Sequence, residues 1–562
     1  MAQPPSDDYS YGDDDNDHNE KQGVFGILAV LFMGVFISQA DTSLILATYG
    51  PIASEFNRLK DASWLLSSYI LAMCVAQPLY GKLSDIFGRK FMIQVSYALF
   101  AGGSAICGIC QSLPQLVIAR SIQGLGGAGM VCLVSILITG TYSYAPIRDT
   151  VLPLTNRADL VPLRDVAAYR SYINIAQTVG RSSGGAIGGY LTQAIGWRWT
   201  LSGQGPLTLI AMALVALKLP ETRSKHHLEA SSLSTALRRV DFAGAALMSG
   251  TILSLLLILD MGGDRIAWTS PVIVLLFCPA ALCAGGFYLI ERSWAKEPIF
   301  PLHLLSHYEV LTSYSLLVLQ NASQTALMLF IPLYFQVSKG SSPGEAGAYM
   351  IPSIVGNTVG SLLTGGFIKR HGVYKLPIVL SSISSGVCFV LLMVWWHGNT
   401  PAWQSLFVFP GGLATGMAHS ALFVAVAAGV GEEQMAIAGS GLYLSGSIGG
   451  VAGLSVASAV FQSQLRGNLQ KAVEDIPDGQ EIARKALLDI NFVRNLTGQV
   501  QALVVNAYIS SIQRVFLMGL CIADSVGDIR PFNEDVPRNL HGNFVSRLSA
   551  WEVPVSRSSS VD

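Results

Sequence analysis

Charge is what this sequence has little of. Only 13% of its 562 residues are Asp, Glu, Lys or Arg, whereas 51% are hydrophobic. Soluble globular domains carry about 25% charged residues. The deficit excludes an ordinary set of soluble domains and is typical of a chain whose surface faces lipid. Bases and acids also balance, giving a net charge of −1, so we expect no nucleic-acid partner.

Several chemical signatures are missing as well. No G-x-x-x-x-G-K-[ST] run occurs, so nothing indicates nucleotide-driven chemistry. Cys107 and Cys110 form a C-x-x-C spacing, but no second pair or nearby histidine accompanies them, which argues against a metal or redox site. We predict no metal, no cofactor and no enzymatic activity. Residues 1–22 lack the basic region and cleavage site of a signal peptide, and their acidic composition predicts a disordered tail.

Long apolar segments fill most of the remaining chain. About 20 apolar residues cross a bilayer as a helix, and lipid admits only helices or closed barrels. We therefore predict an all-α polytopic membrane protein with fourteen spans, numbered here in chain order. They lie at residues 23–48, 62–80, 91–110, 115–139, 170–195, 200–219, 240–261, 270–290, 310–336, 346–368, 374–396, 403–430, 437–461 and 503–523.

Basic residues alternate from loop to loop, which predicts the orientation. Short loops on one side carry most of the Lys and Arg, whereas the opposite loops carry only Arg58, Lys60, Arg198, Arg265 and Lys339. Because the base-rich side faces the cytoplasm, the N-terminus is predicted to be cytoplasmic. The loop at residues 462–501 then lies on the other side. It contains the sequon Asn495-Leu496-Thr497, so Asn495 is a candidate glycosylation site.

The run GKLSDIFGRK at Gly81–Lys90 lies between spans 2 and 3. Its glycines permit a tight turn and close helix approach, and an acid here suits a helix N-terminus. A weaker echo at residues 366–375 lies between spans 10 and 11, which indicates two related halves. The predicted gating residues are Gly81, Asp85, Gly88, Arg89 and Lys90.

These patterns predict five segments. The tail at 1–22 precedes a six-span half at 23–219, and a linker at 220–300 adds two spans. A second six-span half follows at 301–523, and the chain ends in an atypical tail at 524–562.

Charged residues inside spans are the first functional candidates, because each costs about 2.5–3.5 kcal/mol on insertion scales. Asp41 in span 1 either titrates and binds a cationic solute or forms a structural pair with a base on another helix. Arg120 in span 4 belongs to the run Arg-Ser-Ile-Gln-Gly. Because it stays charged, Arg120 either tunes a nearby acid or holds a buried polar network.

Span 5 contributes a further charge, Arg181, within a glycine-rich run. Glycines allow close packing of membrane helices, and those predicted to pack are Gly180, Gly184, Gly185, Gly188 and Gly189. The amides Gln320, Asn321, Gln324 and Gln336 of span 9 either line a cavity or join neighbouring helices.

The Gly81–Lys90 run resembles the G-x-L-x-D-x-x-G-R-K signature of the major facilitator superfamily. The run from Arg120 to Gly124 resembles the R-x-x-Q-G motif of its fourteen-helix drug:proton antiporters. The glycine-rich run matches their antiporter motif in part, since Gly184-Gly185 stands where glycine-proline is usual. Asp61-Ala-Ser-Trp64 and Asp159-Leu-Val-Pro-Leu-Arg164 resemble the fungal vacuolar basic amino-acid transporters.

The resemblance implies a major facilitator fold with six, two and six helices in two pseudo-symmetric halves. It implies a monomeric secondary transporter that exchanges protons for cationic or amphipathic solutes such as basic amino acids, with the Gly81–Lys90 run as cytoplasmic gate. The vacuolar membrane is the expected location. Two alternatives stay open: a multidrug or secondary-metabolite efflux pump at the plasma membrane, and a nontransporting sensor on the same scaffold.

Two segments depart from the family pattern. About nineteen residues at 140–158 separate Thr139 from Asp159. In the family, the fourth helix runs almost directly into the Asp-Leu-Val-Pro-Leu-Arg run. We hypothesise a retained intron or a mis-joined gene model there. The tail at 524–562 is charged and Ser-rich where the family completes its last helix.

Overall fold

A computed structural model describes most of the chain. The described residues are 13–56, 64–139, 163–219, 240–262, 266, 270–294, 298–398, 400–430, 434–474, 476, 479–488 and 490–528. Residues 1–12, the segment at 140–158 and the tail from 529 onward lie outside this part, as do the first residues of both motifs that resemble vacuolar transporters.

The first part of the chain forms seven helices. They are α1 (Asp13–Glu55), α2 (Trp64–Phe87), α3 (Arg89–Ile109), α4 (Leu113–Thr139), α5 (Leu163–Ile195), α6 (Trp197–Ser202) and α7 (Gln204–Lys218). Predicted span 6 is thus two helices, α6 and α7. The helix α1 begins ten residues before the predicted span, inside the segment predicted to be disordered.

Eleven further helices follow. They are α8 (Phe242–Met261), α9 (Pro271–Ser293), α10 (Tyr308–Ser338), α11 (Pro343–Ala348), α12 (Ile351–His371), α13 (Lys375–Trp395), α14 (Phe409–Gly429), α15 (Met435–Ala472), α16 (Gly479–Leu488), α17 (Ile490–Asn495) and α18 (Gly498–Asp528). Two short 3₁₀ helices precede α10 and α14, at Leu302–Ser306 and Ala402–Val408. The described residues contain no strand, so the all-α prediction is confirmed.

A helix lies at each of the fourteen predicted positions, but not all of them qualify as membrane spans. Within the described residues, twelve segments are long and apolar enough to cross a membrane. The helices α2 and α5 are not among them. Polar residues such as Arg181 interrupt the apolar character of α5. The count of fourteen spans therefore stays a prediction.

The turn between α2 and α3 is shorter than predicted. Seven residues of the predicted loop continue α2 to Phe87, and α3 begins at Arg89. Gly88 alone makes the turn, with φ of 89°, a conformation that costs glycine little and other residues more. The corresponding turn after α12 uses Gly372, with φ of 70°. Both proposed repeats therefore reverse direction at a glycine.

The chain divides into two compact units. One comprises Met1–Leu160 with Val179–Val240, and the other comprises Val161–Thr178 with Asp241–Asp562. The division falls inside α5 rather than in the predicted linker, and α8 and α9 belong to the second unit. The predicted bounds of the two halves stay a prediction.

In the first unit, α4 is the central helix. It packs against α1, α2 and α3, and most of its residues are buried. Glycines make this closeness possible: a methyl group at Gly124 would overlap the backbone of Tyr69 on α2, and one at Gly126 would overlap the backbone of α3. Because glycine lacks a side chain, the helix backbones come into direct contact.

In the second unit, α14 has the same position. It packs against α10, α12 and α13, and most of its residues are likewise buried. Gly412 and Gly416 bring its backbone against Ser353 and Asn357 of α12. The fourth helix of each proposed half is therefore central and meets the first, second and third helices of its own half. This pattern agrees with the sequence echo between the halves.

The glycine-rich run of α5 packs against α1 with a spacing of four residues. Methyl groups at Gly180 and Gly184 would overlap the backbone of α1, and one at Gly188 would overlap Leu44. A methyl group at Gly185 would have only ordinary contact, 3.6 Å from the carbonyl oxygen of Ser43. Unlike Gly180, Gly184 and Gly188, Gly185 is therefore not required for the close approach of α5 to α1.

We predict that Gly184→Ala lowers stability by about 1–3 kcal/mol, because the backbone of Ala40 must shift to admit the methyl group. The matched control Gly185→Ala adds the same group to the same helix without overlap. It should leave the melting temperature of the detergent-solubilised protein unchanged or slightly raised, since alanine favours helix over glycine. Equal melting temperatures for the two variants would contradict this packing.

Candidate functional site

A buried ion pair joins α1 to α4. Arg120 Nη1 lies 2.6 Å from Asp41 Oδ2, and both side chains are completely inaccessible to solvent. Transfer of two charges out of water costs several kcal/mol per ion, which only close pairing and additional hydrogen bonds offset. Two residues that the sequence identified separately are therefore partners.

Amide side chains complete the coordination of the carboxylate. Gln123 Nε2 and Gln204 Nε2 donate to Asp41 Oδ1 at 3.1 and 2.9 Å. Gln123 Oε1 also accepts from Arg120 Nη1 at 2.7 Å. Residues three apart share one face of a helix, so the R-x-x-Q spacing of α4 directs both side chains to Asp41.

The guanidinium group has further contacts with α2. Arg120 Nε donates to the carbonyl oxygen of Leu65 at 3.2 Å, and its central carbon lies 4.5 Å from the centre of the Tyr69 ring, within cation–π range. Two polar atoms of the cluster, Arg120 Nη2 and Gln204 Oε1, are buried without a hydrogen-bond partner among the described residues. The cluster is closed to solvent but not fully satisfied.

Sequence reasoning missed Gln204. It is the first residue of α7, near the start of a predicted span, where an amide carries no strong signal. Its contact with Asp41 depends on α7 packing against α1 and α3. Only the tertiary structure brings it to the site.

Arg181 lies on a different side of α1. Its Nε donates to Gln39 Oε1 at 2.7 Å, and its side chain is exposed, unlike that of Arg120. Gln39 and Asp41 are two positions apart, which places them on opposite faces of a helix with 3.6 residues per turn. The structure therefore does not bring Arg181 to the ion pair.

In the second unit, polar side chains of α10 bond to α14. Asn321 Oδ1 lies 3.1 Å from His419 Nε2, and Gln324 Oε1 accepts from the hydroxyl of Thr415 at 2.8 Å. Gln320 is buried on the same helix. Two of the predicted amides thus join neighbouring helices, which is one of the two roles expected from the sequence.

Gln336 belongs to neither cluster, because it lies fifteen residues from Asn321 on α10, about 22 Å along the helix.

His419, in turn, was not among the predicted residues. A signal for it was present, since it is the one histidine in the interior of a candidate span among the described residues.

The predicted gating and glycosylation residues occupy helix ends. Gly81 and Asp85 lie in the last two turns of α2, and Arg89 and Lys90 begin α3 around the turn at Gly88. Asn495 is the last residue of α17 and is exposed. Their proposed roles stay predictions.

A second charged contact closes the end of α1 against α6. Trp197 Nε1 and Arg198 Nη1 each donate to one carboxylate oxygen of Glu55, both at 2.5 Å. The hydrogen bond from Trp197, followed by that from Arg198, lowers the pKa of Glu55. The carboxylate therefore stays ionised in mildly acidic surroundings.

Metal binding finds no support in this geometry. Among the described residues, no group of three or more His, Cys, Asp or Glu side chains could hold a metal ion. The residues that meet at the buried cluster are one acid, one arginine and amides, a set suited to binding protons or polar organic groups.

Within the described residues, twelve segments long and apolar enough to cross a membrane define a polytopic membrane protein. Residues 31–145 and 150–454 match the Major Facilitator Superfamily. The chain belongs to this superfamily, as the sequence motifs predicted.

Named relatives are fungal. Over 501 residues the chain is 30% identical to multidrug resistance protein fnx1 of Schizosaccharomyces pombe, covering 88% of this chain and 90% of the relative. It is 31% identical over 493 residues to the vacuolar membrane amino acid uptake transporter fnx2 of the same organism, covering 87% and 81%. Vacuolar basic amino acid transporter 2 of Saccharomyces cerevisiae is 25% identical over 473 residues, covering 82% and 95%.

A solved structure supports the fold. The human organic anion transporter MFSD10 superposes with a TM-score of 0.55 at 14% identity, covering 89% of this chain and 99% of that one. At this identity the likeness concerns the fold alone. The major facilitator fold is thus established.

We predict that Asp41→Asn alone costs about 3–5 kcal/mol, because it leaves the buried Arg120 charge unpaired. The double variant Asp41→Asn/Arg120→Gln removes both charges and should recover most of that loss. Thermal unfolding of the wild type, the double variant and the two single variants Asp41→Asn and Arg120→Gln in one detergent measures the coupling. A double variant no more stable than Asp41→Asn would contradict a direct, energetically important pair.

The Glu55 contact predicts a defined pH dependence. Because the pKa of Glu55 is lowered on folding, its contribution is fully present above the unfolded pKa of about 4.3. It is lost only as the pH falls through the lower folded pKa. We expect Glu55→Gln to lower stability by less than about 1 kcal/mol, since the pair is partly exposed, and equally at neutral and mildly acidic pH.

Melting temperatures across the acidic range test this expectation. The exposed pair Glu481–Lys485 of α16 offers the control Glu481→Gln, which should have a smaller effect. Disappearance of the Glu55→Gln difference already between about pH 7 and pH 5.5 would contradict the lowered pKa.

Proposed function

We propose that this protein is a proton-coupled antiporter that moves cationic or amphipathic solutes, basic amino acids among them, from the cytoplasm across the vacuolar membrane. The observation that carries the proposal is the fully buried Asp41–Arg120 pair inside membrane-spanning helices. Ionisable residues at membrane depth are rare and mark ion and solute pathways.

The pair suits proton exchange because its two charges respond differently to protons. Arginine stays protonated at all relevant pH values, so Asp41 is the member that takes up the proton. Asp41 Oδ2 is occupied by Arg120 at 2.6 Å, so a proton or a cationic solute reaches this oxygen only when the arginine withdraws. Mutually exclusive binding of proton, arginine and solute is the competition that an antiporter needs.

The unsatisfied atoms of the cluster favour such an exchange over a purely structural pair. Arg120 Nη2 and Gln204 Oε1 lack partners among the described residues, and an unmade buried hydrogen bond costs about 1–3 kcal/mol. A conformation in which these two atoms have hydrogen-bond partners is stabilised by this amount relative to the present one. This difference lowers the free-energy cost of rearranging the cluster.

The gate in this proposal is the turn at Gly88, with Asp85, Arg89 and Lys90 around it. Its single-residue length fixes α2 and α3 to each other, so that both move together in alternating access. The predicted topology places this turn on the cytoplasmic side, where the bases also meet anionic headgroups. The proposed unit of function is a monomer.

The relatives support the proposed location and solute. One relative is named as a vacuolar membrane amino acid uptake transporter and another as a vacuolar basic amino acid transporter. The second candidate function, multidrug efflux at the plasma membrane, is favoured by the relative named as a multidrug resistance protein. Both are secondary transport on the same machinery and differ in cargo and membrane.

Reconstituted vesicles with an acidic interior test the proposal. We expect uptake of labelled lysine or arginine that a protonophore abolishes. Uptake of a cationic dye without either amino acid would support efflux instead. Transport of none of these probes would contradict the proposal and favour a nontransporting sensor.

The folded double variant Asp41→Asn/Arg120→Gln separates coupling from stability. It should lose most of the uptake driven by the pH gradient and still unfold cooperatively on heating. The control Gly185→Ala should transport as the wild type does. Gradient-driven uptake by the double variant equal to that of the wild type would remove Asp41 from proton coupling.

A further inference from the structure

His419 lies at the centre of its helix. It is ten residues from Phe409 and ten from Gly429, the ends of α14, which places it about 15 Å from either end. Its partner Asn321 is similarly central in α10, thirteen residues from Tyr308. Solute sites of secondary transporters lie near the bilayer midplane.

The Asp41–Arg120 pair differs from this contact in accessibility. The pair is completely buried, whereas His419 and Asn321 are only partly buried. His419 is therefore more accessible than the pair.

The two polar contacts have equivalent places in the two proposed halves. Asp41 and Arg120 join the first and fourth helices of one half, α1 and α4. Asn321 and His419 join the first and fourth helices of the other, α10 and α14. In the second half an imidazole and an amide replace the guanidinium and the carboxylate, so this contact has no fixed charge.

A further polar side chain lies near His419 on α14. Thr415 lies one turn before it on the same face of α14 and bonds to Gln324. Charged groups on the packed helices lie toward the helix ends: Glu309 reaches Gly429, ten residues from His419. The other titratable side chains on these helices are Tyr308, Tyr314, Tyr334, Lys369, Arg370, His371, Lys375, Cys388, Tyr443, Arg466 and Lys471.

We propose that His419, held by Asn321, is a second ionisable site of the transporter, where protonation from an acidic compartment expels a bound cationic solute. The inference rests on the proposed function and assigns a solute class, a molecule with an ammonium or guanidinium group, to a residue of the second half.

The chemistry of imidazole supports this role. Histidine ordinarily changes charge between pH 5 and 8, the interval that separates cytoplasm from an acidic lumen. The neutral ring and the amide oxygens of α10 accept hydrogen bonds from an ammonium group. The protonated ring accepts none and repels the cation. The Asn321 contact permits both states, because Nε2 donates to Oδ1 in each.

Binding of lysine to the purified full-length protein, measured across the pH range from about 5 to 8, tests the assignment. Wild-type affinity should fall as the pH falls, by up to about tenfold per pH unit for one linked proton. His419→Gln keeps an amide opposite Asn321 but cannot titrate, so its affinity should depend less steeply on pH than that of the wild type, with the remaining dependence due to Asp41.

A second variant changes the pH dependence without removing the histidine. Asn321→Asp places a carboxylate against the ring and favours its charged form, so the fall in affinity should move upward by about 1 pH unit or more. His397→Gln, at an exposed position beyond α13, is the matched control and should retain the wild-type profile.

The outcomes distinguish the two proposals. Lysine binding and gradient-driven uptake by the wild type, with an unchanged pH profile in both His419→Gln and Asn321→Asp, would overturn the role of His419 and leave the proposed function standing. Absence of any binding or uptake in the wild type would overturn the proposed function, and the assignment of His419 with it. If His419→Gln does not fold, the direction of the Asn321→Asp shift decides.

Discussion

A charge inside a bilayer must be paired, and this requirement organises the first unit of the protein. The Asp41–Arg120 pair is inaccessible to solvent, so its hydrogen bonds must come from groups within the protein. Five helices contribute: α1 and α4 supply the charges, and α2, α3 and α7 supply the carbonyl, hydroxyl and amide groups around them. The position of each helix is thus constrained by one polar cluster.

Such contacts require helices closer than ordinary side chains allow. Glycines of α4 admit the backbones of α2 and α3, and those of α5 admit α1 immediately beside Asp41. The glycines therefore permit the short helix distances that the polar cluster requires. In lipid, where apolar burial contributes little between helices, close backbone packing and polar contacts hold membrane helices together.

Much of this was accessible from the sequence. Asp41 and Arg120 were identifiable because charges at membrane depth are costly, and helix positions followed from apolar length. Their pairing was not, since residues 79 apart in the chain meet only through tertiary packing. Gln204 and His419 were missed for the same reason: a single amide or histidine in an apolar run has no meaning until its neighbours are known. The helical continuation of α2 to Phe87 was hidden by glycines and charges that favour loops in water.

The one-residue turn at Gly88 also bears on how the chain enters the membrane. With only Gly88 between Phe87 and Arg89, the end of α2 and the start of α3 stay together at one membrane surface. We therefore expect the two helices to enter the membrane as a hairpin, which then presents a joint surface to α4, whose glycines pack against both helices.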